Sequence, residues 1–174
     1  MSHTSGVPTG FDRAKTPAQW YCLLAGLALL LAGVFGFIAD ASFDTGDGVQ
    51  GGSFLGFEVN GLHNLVHVAS GLLLLAAYRT RATARAVAIA FGATYGLVAL
   101  IGLIDGNDVL GLIPINSADN VLHVGLALLG LVTGLVSRNA DRAHSTTMVD
   151  RATNPNFDRN AGRADRDGVD RERA

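Results

Sequence analysis

Four nearly unbroken apolar stretches constrain this chain more than any other feature: Trp20 to Ala39, Leu62 to Tyr78, Ala86 to Ile104 and Ala118 to Ser137. Each is long enough, or nearly so, to cross a hydrocarbon core of about 30 Å as a helix rising about 1.5 Å per residue. Hydrocarbon offers the backbone no hydrogen bonds, so such segments must satisfy their own peptide groups and become helices. The apolar share of 49% is gathered into these blocks and not spread with the period of a soluble amphipathic helix. The expected fold class is all-α, a four-helix transmembrane bundle over residues 20–137. Residues 1–19 read as a flexible cytoplasmic lead and 138–174 as a disordered cytoplasmic tail, because Arg, Asp, Asn and Thr there bury too little apolar surface to offset ordering entropy.

Charge orients the bundle. Basic residues lie before the first block (Arg13, Lys15), between the second and third (Arg79, Arg81, Arg85) and from Arg138 onward. The other two loops hold Asp40, Asp44, Asp47, Glu58, Asp105, Asp108 and Asp119 and no basic residue. The positive-inside rule then makes the protein a multi-pass plasma-membrane protein with both termini cytoplasmic. Thr80 to Thr83 leave room only for a tight turn, so the second and third helices are expected to be antiparallel neighbours. Ala39-Asp40-Ala41 resembles a signal-peptide cleavage site. The preceding apolar run exceeds the usual 7 to 15 residues and three more blocks follow, so the first helix is expected to be retained.

Small residues recur every fourth position at Ala28, Ala32 and Gly36, at Ala88, Gly92 and Gly96, and at Gly130 and Gly134, a spacing that lets helices approach closely. Residues 40–59, with Gly46, Gly48, Gly51, Gly52 and Gly56 among Phe43, Phe54 and Phe57, read as an irregular outer loop. Ser117 is the expected N-cap of the fourth helix. The single cysteine, Cys22, excludes an intramolecular disulfide.

Against this apolar background stand Asn60, His63, Asn64 and His67, and later Asp119, Asn120 and His123. The run Asn64-x-x-His67 aligns with Asn120-x-x-His123, and Gly36-Phe-Ile aligns with Gly102-Leu-Ile. The chain therefore reads as two copies of a helical hairpin entering from the same side, related by an axis along the membrane normal. His67 and His123 fall roughly 10 Å below the outer helix ends. Lipid exposure would leave these groups unpaired at a cost of kilocalories each, so they are expected to face the bundle interior or a wet outer vestibule.

Three roles suit such a cluster. Asn64 and His67 can hydrogen-bond to Asn120 and His123 as polar glue between the second and fourth helices. His63, His67 and His123 can ligate a metal, with Asp119 or Glu58 completing the set, or His67 and His123 can pair across a haem. The cluster can also form a small pocket for an ion, proton or polar ligand. No charged residue lies deeper than the histidines, which disfavours a proton path across the membrane. The chain has no Walker loop, dinucleotide fingerprint, HExxH or serine triad, and no basic stripe for nucleic acid. The sequence thus points to an accessory or interaction protein more than to an enzyme. Its partners are the bilayer and another membrane protein or a second copy; no cofactor is demanded, and haem or a transition metal is the alternative.

Asn-Gly-x-His-Asn-x-x-His-x-x-x-Gly, from Asn60 to Gly71, and Ala-Asp-Asn-x-Leu-His, from Ala118 to His123, resemble a family of small four-span bacterial membrane proteins catalogued only as a domain of unknown function. Ala127 departs from the pattern where Gly71 stands in the first copy. The overall form is more distantly similar to the DoxX-like membrane proteins, some of which are associated with quinol or thiosulfate oxidation. The resemblance implies four spans and brings no activity with it.

Overall fold

A computed structural model describes residues 14–153, the side chains of 105 and 138–152 excepted. Helix α1 (Pro17–Ala39) is started by a capping box. The Thr16 hydroxyl accepts the Gln19 N–H at 3.3 Å, and the Gln19 side chain accepts the Thr16 N–H at 3.1 Å. Pro17 sits at the first helical position, where a missing N–H costs nothing. The same residues knit the inner ends together. Gln19 Nε2 donates to the Tyr78 carbonyl, and the Ala18 N–H donates to Ser137 Oγ, each at 3.0 Å.

Three further helices follow: α2 (Gly61–Ala77), α3 (Arg81–Asp105) and α4 (Ser117–Thr153). Three helices are long and apolar enough to cross a membrane: α1, α3 up to Ile104, and α4 up to Ser137. Helix α2 is apolar but has only 17 residues. Helix α4 continues past Ser137 to Thr153, where the sequence reading placed the start of the tail; residues 154–174 lie outside the described part. Only 33–39% of the spanning windows is buried within the protein. Leu24, Leu31, Leu72, Leu97 and Leu128 all point outward, as lipid-facing residues must. These are the features of a membrane protein.

The outer loops are more ordered than expected for an all-α chain. Residues 40–59 contain a β-hairpin, β1 (Gly52–Phe54) with β2 (Phe57–Val59), and a second hairpin joins α3 to α4, β3 (Asp108–Val109) with β4 (Ile113–Pro114). Both turn through a Leu-Gly pair at positive φ: Leu55 at 53° with Gly56 at 90°, and Leu110 at 58° with Gly111 at 67°. Two consecutive positive values match the twist of a tight hairpin. Leu in the first position hides the usual Asn-Gly signature, which is why the glycine-rich stretch reads as irregular.

Helix α1 packs chiefly on α2, and α3 chiefly on α4. Close approach depends on glycine. Gly26 faces the Gly71 carbonyl, Gly33 the Asn64 carbonyl, and Gly36 the Asn64 side chain. In the other pair Gly92 faces the Ala127 carbonyl, Gly130 the Ala88 carbonyl, and Gly102 the Asn120 side chain. Of the predicted small-residue rows, Gly36, Ala88, Gly92 and Gly130 serve these contacts. Ala28 and Ala32 turn instead toward the α1/α4 seam.

Gly36→Ala would place a methyl group on Asn64 Oδ1. The variant is expected to lose about 1–3 kcal/mol by overpacking, read as a lower thermal midpoint in detergent. Gly125 has no neighbour within 4 Å of an added Cβ, so Gly125→Ala should leave the midpoint unchanged or raised by up to about 1 kcal/mol. Equal melting of the two variants would contradict the packing. At the end of α1 the Asp40 carboxylate accepts the Ser42 N–H at 2.7 Å and the Gly52 N–H at 2.9 Å. Hydrogen bonding to Ser42 is the main reason its pKa lies below the ordinary carboxylate value. Its stabilising contribution is therefore complete above the unfolded pKa of about 3.9 and disappears as pH falls through the lower native value. Urea unfolding of Asp40→Asn should show a stability deficit near neutral pH that shrinks on acidification; a constant deficit would exclude this role.

Candidate functional site

Two asparagines set the phase of the helices that carry the site. Asn60 caps α2, its Oδ1 accepting the His63 N–H at 2.8 Å. Asn116, and not Ser117, caps α4: its Oδ1 accepts the N–H groups of Ala118 at 2.9 Å and Asp119 at 3.1 Å. Asp119 Oδ2 returns the contact by accepting the Asn116 N–H at 2.9 Å, a capping box with aspartate at its third position. Each cap also braces the opposite loop. Asn60 Nδ2 donates to the Leu112 carbonyl at 3.1 Å, and Asn116 Nδ2 to the Gly56 carbonyl at 2.9 Å.

With the phase set, His63 and His67 lie one helical turn apart on the inward face of α2, and His123 meets them from α4. Ring centroids are 4.4 Å apart for His63 and His67, 6.1 Å for His63 and His123, and 6.5 Å for His67 and His123. One nitrogen from each ring falls within 4.8 Å of the other two. All three residues are buried, at 2%, 5% and 2% exposure, so solvent does not satisfy these rings.

The hydrogen bonds fix a tautomer. His63 Nδ1 lies 2.9 Å from the Glu58 carbonyl, which can only accept, so Nδ1 carries the proton and Nε2 presents a lone pair. That lone pair faces His67 Nε2 at 3.1 Å. Nδ1 of His67 and Nδ1 of His123 are buried with no hydrogen-bond partner. The Tyr95 ring closes the space beneath His123, edge to face at 5.3 Å, and Phe91 stacks on Tyr95 at 4.1 Å. Asp119 is tied to the same corner because Oδ2 also accepts the Glu58 N–H at 3.0 Å. Residue Glu58 thus links the Asp119 carboxylate on one side to the His63 ring on the other.

The predicted cluster divides in two. His63, His67 and His123 converge, with Asp119 one residue behind them. Asn60 stands above as cap and brace. Asn64 and Asn120 do not bridge α2 to α4 as polar glue. Asn64 Nδ2 donates to the Asp40 carbonyl at 2.9 Å, and each asparagine directs Oδ1 at a glycine of its own hairpin, Gly36 or Gly102. A helix pair at glycine contact distance leaves the amide nowhere else to go. The Glu58 side chain also turns away, accepting the Gly51 N–H at 3.0 Å, so it is the Glu58 backbone that serves the site. Sequence reasoning missed Tyr95, Asn116 and the Glu58 carbonyl. Asn116 was findable, since it follows Asn60 by the same offset that separates Asn64 from Asn120; a carbonyl leaves no trace in residue identity.

An apolar cavity of about 220 Å³ adjoins the triad, bounded by α1, α4 and the β1–β2 hairpin, with His67 in its wall. Comparison with curated proteins and with solved structures returns no match. The family model described as Domain of unknown function (DUF4383) matches residues 19–136, from the first turn of α1 to the penultimate residue of the spanning part of α4. That range contains every residue of the site, and the chain belongs to the DUF4383 family.

Proposed function

We propose that this protein is a four-span membrane protein whose outer-side histidine triad binds one first-row transition-metal ion. The observation that carries the reading is the convergence of His63, His67 and His123, buried, with nitrogens within 4.8 Å of one another. Imidazole suits zinc, copper, iron and nickel. Two ligands of one tetrahedral ion with metal–nitrogen bonds of about 2.0–2.1 Å stand roughly 3.3 Å apart. The Nε2 atoms of His63 and His67 are already at 3.1 Å. Ligating histidines usually donate their second N–H to a carbonyl or carboxylate, which is what His63 does toward Glu58. A purely structural role gives no reason to bury two imidazole Nδ1 atoms without partners.

Haem fits less well, because His63 Nε2 sits 3.1 Å from His67 Nε2, in the space a porphyrin plane would need beside that ring. In the proposed arrangement α2, about 25 Å long, is the fourth span, reaching the outer surface through its cap and the hairpin above it. The two helical pairs are copies of one hairpin. Supporting this are the crossed asparagine braces, the matching glycine–asparagine contacts and the orphaned Nδ1 on both His67 and His123. The basic inner loops put the triad on the outer side.

Metal analysis of detergent-purified protein after zinc loading and desalting should find about one ion per chain, the count of a single three-histidine site. His67→Ala and His123→Ala should each abolish retention, and a His3→Ala/His144→Ala double variant should keep it. Asp119→Asn, which weakens the support of His63 without removing a ligand, should lower affinity roughly 10–100-fold. Retention of zinc by a variant lacking all three cluster histidines would defeat the proposal.

A further inference from the structure

The cavity against His67 has a direction. Phe54 and Phe57 of the β1–β2 hairpin cover it from the outer surface, while Ala28 and Ala32 of α1 and Leu122 of α4 form its sides. Every lining residue except His67 is apolar. Helices α1 and α4 touch far less than the members of either hairpin, so the cavity communicates with the bilayer along their seam. A second groove of about 500 Å³ continues along that seam. It shares Ala28 and Leu126 with the cavity and reaches Trp20. From Ala32 to Trp20 the path is about 18 Å at 1.5 Å per residue, the reach of a long hydrocarbon chain.

Charge specifies the head of such a molecule. Three neutral imidazoles leave a divalent ion's charge uncompensated in a medium of low dielectric, and leave one tetrahedral position open. The nearby protein carboxylates are engaged: Asp119 Oδ2 accepts two backbone N–H groups, and Glu58 accepts the Gly51 N–H. An anionic oxygen donor from elsewhere therefore suits the open position, and the covered, apolar approach selects one dissolved in the membrane. Resting on the metal reading above, we infer that the α1/α4 seam binds a single-chain anionic amphiphile of the long-chain carboxylate class, its head at the metal beside His67 and its chain along Ala32 and Ala28.

Cobalt(II) separates this inference from the metal reading, because its visible absorption reports ligand changes. The protein is loaded with cobalt in a non-ionic detergent and titrated with dodecanoate, dodecanol or acetate. Dodecanoate is expected to shift the cobalt bands at a concentration roughly tenfold or more below that of acetate, reflecting the buried chain; dodecanol, with the same chain and no carboxylate, should leave them in place. Ala32→Phe, which fills the cavity, should keep the cobalt spectrum and lose the advantage of dodecanoate; Ala28→Phe serves if Ala32→Phe fails to fold. An equal response to dodecanoate and acetate, or a response undiminished in the filled variant, overturns the inference. Absence of any cobalt spectrum in the unmodified protein overturns the metal reading instead.

Discussion

Amides and imidazoles embedded at hydrocarbon depth have to find partners inside the protein, and the arrangement of the outer half follows from how the asparagines meet that demand. Asn60 and Asn116 each cap one helix and reach across to the loop of the other. Asn64 and Asn120 each lie against a glycine of the preceding helix. Both pairs exhaust their polar reach on structure. They hold α2 and α4 in one rotational phase with their histidines inward. Were the caps weaker, the helices would be free to turn, and hydrocarbon would meet the imidazoles.

This division of labour gives the site its chemical character. The asparagines bear the structural load, so the histidines are left with lone pairs that nothing in the protein occupies. His63 is fixed in orientation by a backbone carbonyl whose residue is itself held by Asp119. Tyr95 and Phe91 wall off the inner side. The result is a small donor set, oriented before any ligand arrives and shielded from water, next to an apolar space that opens toward lipid. Preorganisation of this kind removes the cost of assembling ligands at the moment of binding.

Much of this was legible in the residues, because a bilayer imposes simple rules. Apolar length marked the membrane helices, and the polar residues that violated those blocks marked the site. The convergence of His67 and His123 could be anticipated from the matching Asn-x-x-His runs. The fate of the asparagines could not. A side chain that can bond across a helix interface can equally bond back along its own hairpin, and only the glycine contact distance at Gly36 and Gly102 decides between them. The hairpins over the site were hidden for a related reason: Leu55 and Leu110 adopt positive φ because the flanking strands require it, against the preference of leucine itself. Ala28 and Ala32 show the limit of spacing arguments, since the same four-residue interval that marks a helix contact elsewhere here borders a cavity.

The central claim is that three imidazoles from two helices meet at one point and act as a ligand set. X-ray absorption spectroscopy at the zinc edge of the loaded, purified protein measures this directly. The account predicts a first shell containing three imidazole nitrogens at about 2.0–2.1 Å with one further light-atom ligand and no sulfur. A shell of oxygens alone, or one with fewer than two imidazoles, would contradict it.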